Sequence, residues 1–316
     1  MVYMCGIIGY IGKEKALPFI MEGLKKESYR GYDSSGLVIF DNQKIHYVRS
    51  VGKLKKLEQK LQGMDFGGSI GLGHNRWATH GGVTQANAHP HADCAGNIFV
   101  VHNGIIENYQ EVKDMLARAG HRFMSETDTE VLSHLIEHFF EGNLEKAVAL
   151  ALATVRGAYA IAVVAKKDPG KIVAARLSAP LVICVGKAGG FVASDPAAIN
   201  THTKNMIFLD DHEMAVVTEN SYVVTDAHHN KKEKTVTKSL AVKKDSQKGI
   251  YPHFLLKEIM EQSKSLSDAL RGRLRIGQGN VKLGGLEAIT KKLKKIENVQ
   301  IVACGSAACA GLAGEY

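Results

Sequence analysis

Cys5-Gly-Ile-Ile-Gly-Tyr-Ile-Gly12 is the stretch on which the reading of this chain turns. Ile7, Ile8, Tyr10 and Ile11 form a short apolar run punctuated by Gly6, Gly9 and Gly12, with the makings of a buried strand. Glycines beside a thiol allow close backbone approach and unusual dihedrals. If Cys5 became the first residue, its own α-amino group could serve as its base. An α-amine titrates near ~7.7–8.0 and a thiol near ~8.5, so the two can exchange a proton close to neutral pH. That is nucleophile activation without a histidine. Taken alone, the plainer reading is a core strand carrying a small cysteine, and the rest of the chain has to decide.

Working outward, 316 residues leave room for two domains. Apolar residues make up 45% and charged residues 23%, the balance of a globular chain with a sizeable core. No apolar run of about 18 residues occurs, so no membrane span is expected. The N-terminal residues lack the pattern of an export signal. Five cysteines without a CxxC pair argue against a disulfide framework or a zinc knuckle and fit a reducing, cytoplasmic setting. The net charge of +8 is concentrated between Lys231 and Lys295, where 17 Lys and Arg face 6 Asp and Glu. This is read as a lysine-rich surface, with a phosphate-bearing small substrate as the functional alternative. No aromatic-interleaved basic stripe accompanies it, so no nucleic-acid partner is expected.

Periodicity predicts a helix over 14–27, a strand at Leu37–Phe40 paired with Ile45–Val48, and a short helix carrying Leu54, Leu57 and Leu61. Strands at Ser69–Gly73 and Asn97–His102 bracket a long loop from Asn75 to Gly96. Helices follow from Asn108 to Gly120, from a cap at Ser125 or Thr127, and over 144–155. From Ala158 to Thr225 the texture is strand after strand, which suggests antiparallel sheets with helices outside rather than βαβ units. The polar segment 229–249 reads as a linker between a first domain, 5–228, and a second, 250–316. In the latter, helices at Tyr251–Leu270 and Gly285–Lys295 precede an apolar strand, Val299–Cys304, and Gly305-Ser306 opens a further helix. This is expected to be the start of an incomplete α/β domain.

Four polar clusters interrupt the first domain: Tyr29–Gly36, His74–Gly81 followed by His89-Pro-His91, Val101–Tyr109, and Ser125–Glu130. The Asn103 amide beside the Gly104 N–H offers two donors aimed at one point, suited to an oxyanion, although Asn-Gly is equally a hairpin turn. Arg76 can grip a carboxylate with two prongs, and Asp128 can hold an ammonium. Together they would fix both charged ends of a free amino acid while a thiolate attacks its side-chain carbonyl. His89-Pro-His91 has no Cys or carboxylate at ligand spacing beside it, so no metal and no cofactor is expected.

The runs CGIIGYIG, YRGYDSSG, HNRWATHG, NAHPH, VHNGIIENY and SETDTEV, in this order between 5 and 131, resemble the glutamine–fructose-6-phosphate aminotransferase (isomerizing) family. RGAYAI, SAPLVI, ASDPAA and YPHFLLKEI extend the similarity beyond them. The resemblance implies an N-terminal class II glutamine amidotransferase with the N-terminal-nucleophile hydrolase fold, a four-layer αββα sandwich of the α+β class. It implies hydrolysis of glutamine to glutamate and ammonia, and amination of fructose 6-phosphate to glucosamine 6-phosphate by a sugar-isomerase domain, in hexosamine biosynthesis. On the matching positions Cys5 resembles the nucleophile, and Asn103 and Gly104 the oxyanion hole. Arg76, Thr79, His80 and Asp128 match glutamine-binding positions, Arg30 the arginine beside the nucleophile, and Trp77 the mobile tryptophan that gates ammonia.

The chain departs from the family pattern at three points. Val2, Tyr3 and Met4 precede Cys5, so activity is expected to need Cys5 as the mature N-terminus, as translation from Met4 would give. Where the family reads CGTS, this sequence has Cys304-Gly-Ser-Ala307, without the last hydroxyl. Most of the isomerase domain, with the family's homodimer contacts, is not in the sequence. Ammonia release is therefore expected of this chain alone, and amino-sugar synthesis with fructose 6-phosphate only if the isomerase domain is supplied. A catalytically silent, regulatory fragment and a stand-alone glutaminase are the alternatives.

Overall fold

A computed structural model describes residues 5–41, 44–226, 230–238, 249–270, 274–275, 279–281, 290–293, 295–303 and 306–314. Two compact units divide the chain, one covering residues 2–242 and the other Lys243–Tyr316.

The first unit is built on β1 (Gly6–Gly12). Ile7 and Ile11 point to one face and Ile8 and Tyr10 to the other, and all four are buried, because both faces of the strand are covered. β1 pairs antiparallel with β4 (Ile70–Arg76) on one side and β10 (Gly189–Ala193) on the other. Beyond β4 lie β2 (Ser34–Asp41) and β3 (Lys44–Val51); beyond β10 lie β9 (Val182–Gly186), β11 (Asn205–Phe208) and β14 (Thr237–Lys238). The second sheet runs β13 (Tyr222–Thr225), β12 (Glu213–Val217), β8 (Ile172–Leu177), β7 (Gly157–Ala165), β6 (Ile98–Ile106) and β5 (His91–Ala92).

The two sheets pack face to face, with Ile7, Ile11, Val38 and Leu72 of the first meeting Val101, Ala160, Ala162, Ile172 and Ala174 of the second. A side chain on Gly9 would press on Leu72 at 3.1 Å and Ile172 at 3.2 Å, so the glycine lets the layers close. α1 (Ala16–Lys26) and α2 (Leu54–Leu61) cover the outer face of the first sheet through Ile20, Leu24 and Leu57. α3 (Tyr109–Arg118), α4 (Glu130–Phe139) and α5 (Leu144–Thr154) cover the second through Leu116, Leu132, Leu135 and Val148. The result is the expected four layers, αββα.

Several expectations need correction. The long loop after β4 contains the two-residue strand β5, which pairs with β6 through His91 and Val100. α4 begins after Thr129 rather than at a cap on Ser125 or Thr127. Those two hydroxyls are committed otherwise: Ser125 Oγ donates to the Glu130 carboxylate at 2.8 Å, and Thr127 Oγ1 faces His91 Nε2 at 3.0 Å. The segment 230–238, expected as linker, folds back onto the first unit. There β14 pairs with β11, and Lys234 bridges Asp210 and Glu213 at 2.7 Å each.

In the second unit α6 (Phe254–Leu270) takes the place of the expected Tyr251–Leu270 helix, and β15 (Leu274–Arg275) pairs with β16 (Asn280–Val281). Of the helix expected at Gly285–Lys295, α7 covers Thr290–Leu293, while 285–289 lie outside the described residues. Residues 299–303 form no strand, and no parallel pairing occurs in this unit among the described residues. Cys304 and Gly305 lie outside the described residues, and α8 spans Ser306–Ala313.

Candidate active site

Cys5 stands at the head of β1, and the antiparallel register opposite Gly6 and Asn75 brings the end of β4 beside it. The Trp77 N–H donates to Cys5 Sγ at 3.1 Å, and the thiol faces the Trp77 carbonyl at 3.5 Å. Burial pushes the thiol up to about 11, against the lowering pull of the Trp77 amide and the Arg76 charge. Asp33 and Asp128 raise it further. A thiol in this state needs a proton acceptor before it can attack.

Asn103 comes from the other sheet, near the end of β6, and its Nδ2 donates to the Cys5 carbonyl oxygen at 3.0 Å. Its Oδ1 faces His74 Nε2 at 2.9 Å. Burial lowers His74 to about 3, so the ring is neutral and must carry its proton on Nε2 to donate to that oxygen. The ring thereby fixes which end of the amide faces Cys5. The second Nδ2 proton has no hydrogen-bond partner among the described residues. Next to it Gly104 has φ +140°, and a Cβ there would run into the Ala158 carbonyl oxygen. Only glycine fits, and the β6–β7 ladder continues through it to Tyr159.

Beneath Asn103 the imidazoles form a column. His74 stacks on His89 with ring centroids 4.2 Å apart, and His89 meets His91 edge-on at 4.8 Å. His89 Nδ1 accepts from the His102 N–H at 3.3 Å, and His102 Nδ1 meets Thr129 Oγ1 at 2.8 Å. Burial lowers all four histidines. The His89-Pro-His91 run thus supports the floor of the site. Sequence reasoning passed over His74, although it opens the HNRWATHG run.

Of the predicted binding residues, Arg76 and Asp128 lie close enough to Cys5 for their charges to act on its thiol. Arg76 is buried, and its guanidinium holds the next turn by donating to the carbonyls of His80 and, at 3.2 Å, Gly82. Its charge acts on Cys5, and Asp128 and Asp33 act on it in turn. Asp128 is buried, with Oδ2 accepting from the Ile106 N–H at 2.8 Å. Asp33, missed in the sequence although it lies in YRGYDSSG, accepts from the Ala78 N–H at 2.8 Å and steadies the Trp77 segment. Trp77 itself is half-buried against Tyr32, with centroids 4.9 Å apart. Thr79 is exposed, and the His80 ring packs edge-on to Tyr109 at 5.5 Å. Arg30 anchors on the far side, with its Nη2 2.5 Å from Asp195. Glu27, also unforeseen, is fully buried beneath Gly6, accepts from Ser194 Oγ at 2.9 Å, and is raised well above the carboxylate range by that burial.

Residues 53–251 match the family model described as a glutamine amidotransferase domain. The chain belongs to that family. Beyond the matched span, the amidotransferase chain is similar over nearly its whole length to curated relatives. It is 44% identical over 313 residues to glutamine–fructose-6-phosphate aminotransferase (isomerizing) of Clostridium tetani, covering 99% of this chain and 51% of that protein. The proteins of the same name from Chlorobaculum tepidum and Pyrococcus horikoshii are 44% and 43% identical, with 52% and 51% of their lengths covered. The chain therefore spans about half the length of these relatives. Among solved structures, the allosteric regulatory enzyme of purine biosynthesis matches with TM-score 0.64 and 26% identity over 72% of this chain and 50% of that one. Glutamine phosphoribosylpyrophosphate amidotransferase from B. subtilis, at TM-score 0.62, 24% identity and the same coverage, shares the fold.

Proposed function

We propose that the first unit hydrolyses glutamine to glutamate and ammonia, with Cys5 as nucleophile. The observation that carries this reading is the convergence on Cys5 of the Asn103 amide from one sheet and the Trp77 N–H from the other. Cys5 Sγ attacks the side-chain carbonyl carbon of glutamine, and the carbonyl π electrons move to oxygen. That oxyanion takes hydrogen bonds from the free Asn103 Nδ2 proton and the Gly104 N–H. Collapse expels the amide nitrogen, which leaves as ammonia with the proton that the thiol gave up. Water then cleaves the thioester to glutamate and restores the thiol.

The α-amine of Cys5, when Cys5 is the first residue, is the proton carrier. Arg76 pairs with the substrate carboxylate and Asp128 with its ammonium, with Thr79 and His80 beside them and Arg30 supporting the wall. Trp77 moves to let ammonia pass. In keeping with the curated relatives, the ammonia aminates fructose 6-phosphate to glucosamine 6-phosphate when the isomerase part of such proteins is present, in the synthesis of hexosamines in the cytoplasm. The test is glutamate and ammonia release from glutamine by protein beginning at Cys5. Release in equal amounts, abolished by Cys5→Ala, is the expected result, and turnover that survives Cys5→Ala overturns the assignment.

A further inference from the structure

Apart from the candidate substrate residues, four side chains of three kinds converge: Cys94, His121, His134 and Glu137. Cys94 sits in the turn between β5 and β6, His121 follows the Gly120 that closes α3, and His134 and Glu137 share one face of α4. Cys94 Sγ is 3.6 Å from His121 Nδ1 and 3.3 Å from His134 Nδ1. Glu137 Oε2 is 3.0 Å from His121 Nδ1 and 3.5 Å from His134 Nδ1. One donor atom from each of the four lies within 4.8 Å of all the others.

Zinc bonds of about 2.3 Å to sulfur and about 2.0–2.2 Å to nitrogen and oxygen, at tetrahedral angles, make ligand-to-ligand edges of about 3.3–3.6 Å. The four edges above fall on or near that range. We propose that Cys94, His121, His134 and Glu137 form a structural zinc site. The donor set is chemically coherent, because a thiolate and a carboxylate neutralise the dication and two imidazoles complete the tetrahedron.

The surroundings suit an ion as well. His134 is 1% exposed, and its Nε2 has no hydrogen bond, but Glu130 Oε1 stands 3.7 Å from it. With Nδ1 bound to metal, Nε2 carries the proton and points to that carboxylate, the usual way a ligand imidazole is oriented. Glu130 also accepts the N–H groups of Met124 at 2.8 Å and Ser125 at 2.7 Å. Zinc would therefore tie three separate segments together and clamp the stretch from His121 to Glu130. Sequence spacing gave no sign of this, because the ligands come from a turn, a helix end and a helix face.

The test uses the whole chain, stripped of metal with a chelator and titrated with Zn²⁺ alone, then with Co²⁺. One equivalent of zinc should be retained, and cobalt should show a sulfur-to-metal charge-transfer band with tetrahedral d–d intensity. Cys94→Ser should abolish that band, and both it and Glu137→Gln should weaken zinc binding by about 10- to 100-fold or more. Both positions are partly solvent-facing, so these variants should fold, as their circular dichroism would verify. Cys309→Ser, at the other exposed free thiol among the described residues, should change nothing. Zinc retention in the parent chain no greater than in Cys94→Ser, or a charge-transfer band that survives Cys94→Ser, overturns the proposal.

Discussion

Attaching or removing the residues ahead of Cys5 should decide whether its amine is the base. With Met4 present, that nitrogen is a peptide nitrogen and accepts no proton. The thiol, held up to about 11 by burial, then carries about one thiolate in a thousand molecules at pH 8. A free α-amine near ~8 lies three units below the thiol, so moving the proton between them costs about 4 kcal/mol, within reach of a catalysed step. General-base assistance is worth about 10²–10⁴-fold, and that is the expected ratio between protein beginning at Cys5 and protein beginning at Val2. The pH profiles should differ too. The extended form should gain about tenfold per pH unit toward 11 as thiolate accumulates, whereas the Cys5 form should level off near ~8 once its amine is neutral. The assay is ammonia release from glutamine by two preparations whose N-termini are verified by intact mass. Equal rates with superimposable pH profiles would refute the role of the amine.

Asn103→Ala should lower kcat by about 10²–10³-fold with little change in KM; a change confined to KM would assign the amide to ground-state binding instead. Arg76→Lys should raise the KM for glutamine, because a single ammonium cannot reproduce the flat two-pronged grip, and steady-state kinetics measure it. Gly104→Ala should lower the melting temperature, since the added carbon meets the Ala158 carbonyl at a φ that costs other residues about 1–3 kcal/mol. Glu27→Gln tests the buried carboxyl. Because the folded state raises its pKa, the stability it allows is complete below the unfolded value and is lost as pH rises through the folded one. The variant should therefore match the parent near pH 4 and exceed it increasingly toward pH 8, by up to about 1.4 kcal/mol for each pH unit climbed between the unfolded and folded titrations. Denaturant melts at the two pH values give the comparison, and a gap that stays constant rules the idea out.

Antiparallel sheets with helices outside were legible because the central strands are apolar on both faces and the helices on one, patterns that survive in the linear sequence, whereas the four-layer order was implied only by the family resemblance. Ile7 and Ile8, buried on opposite faces of β1, illustrate the first; Ile20 and Leu24 on α1 the second. Cys5, Arg76, Asn103, Gly104 and Asp128 were legible as residue types whose chemistry is unusual in combination. What could not be read was anything made only by approach. The proton on His74 depends on a partner 29 residues away, and the stack on His89 depends on two layers meeting. β14 was missed because two polar residues, Thr237 and Lys238, gain strand character only from the edge of β11. The misread strand at 299–303 shows the reverse error, since an apolar run forms a strand only where a neighbour offers it hydrogen bonds.

The proposed nucleophile and its proposed oxyanion donor belong to different sheets, with Cys5 heading β1 and Asn103 on β6. Their separation is therefore set by the thickness of the layer between the sheets. That layer is kept thin by Gly9 on one side and by Ala160, Ala162 and Ala174 on the other. A displacement of about 1 Å at a reacting centre can cost about 10²-fold in rate. Each methyl group in the inter-sheet layer thus helps to calibrate the reaction, although none touches the substrate. A bulkier residue at Ala162 would act as a shim, leaving each wall of the pocket intact while moving the two halves of the chemistry out of range of each other.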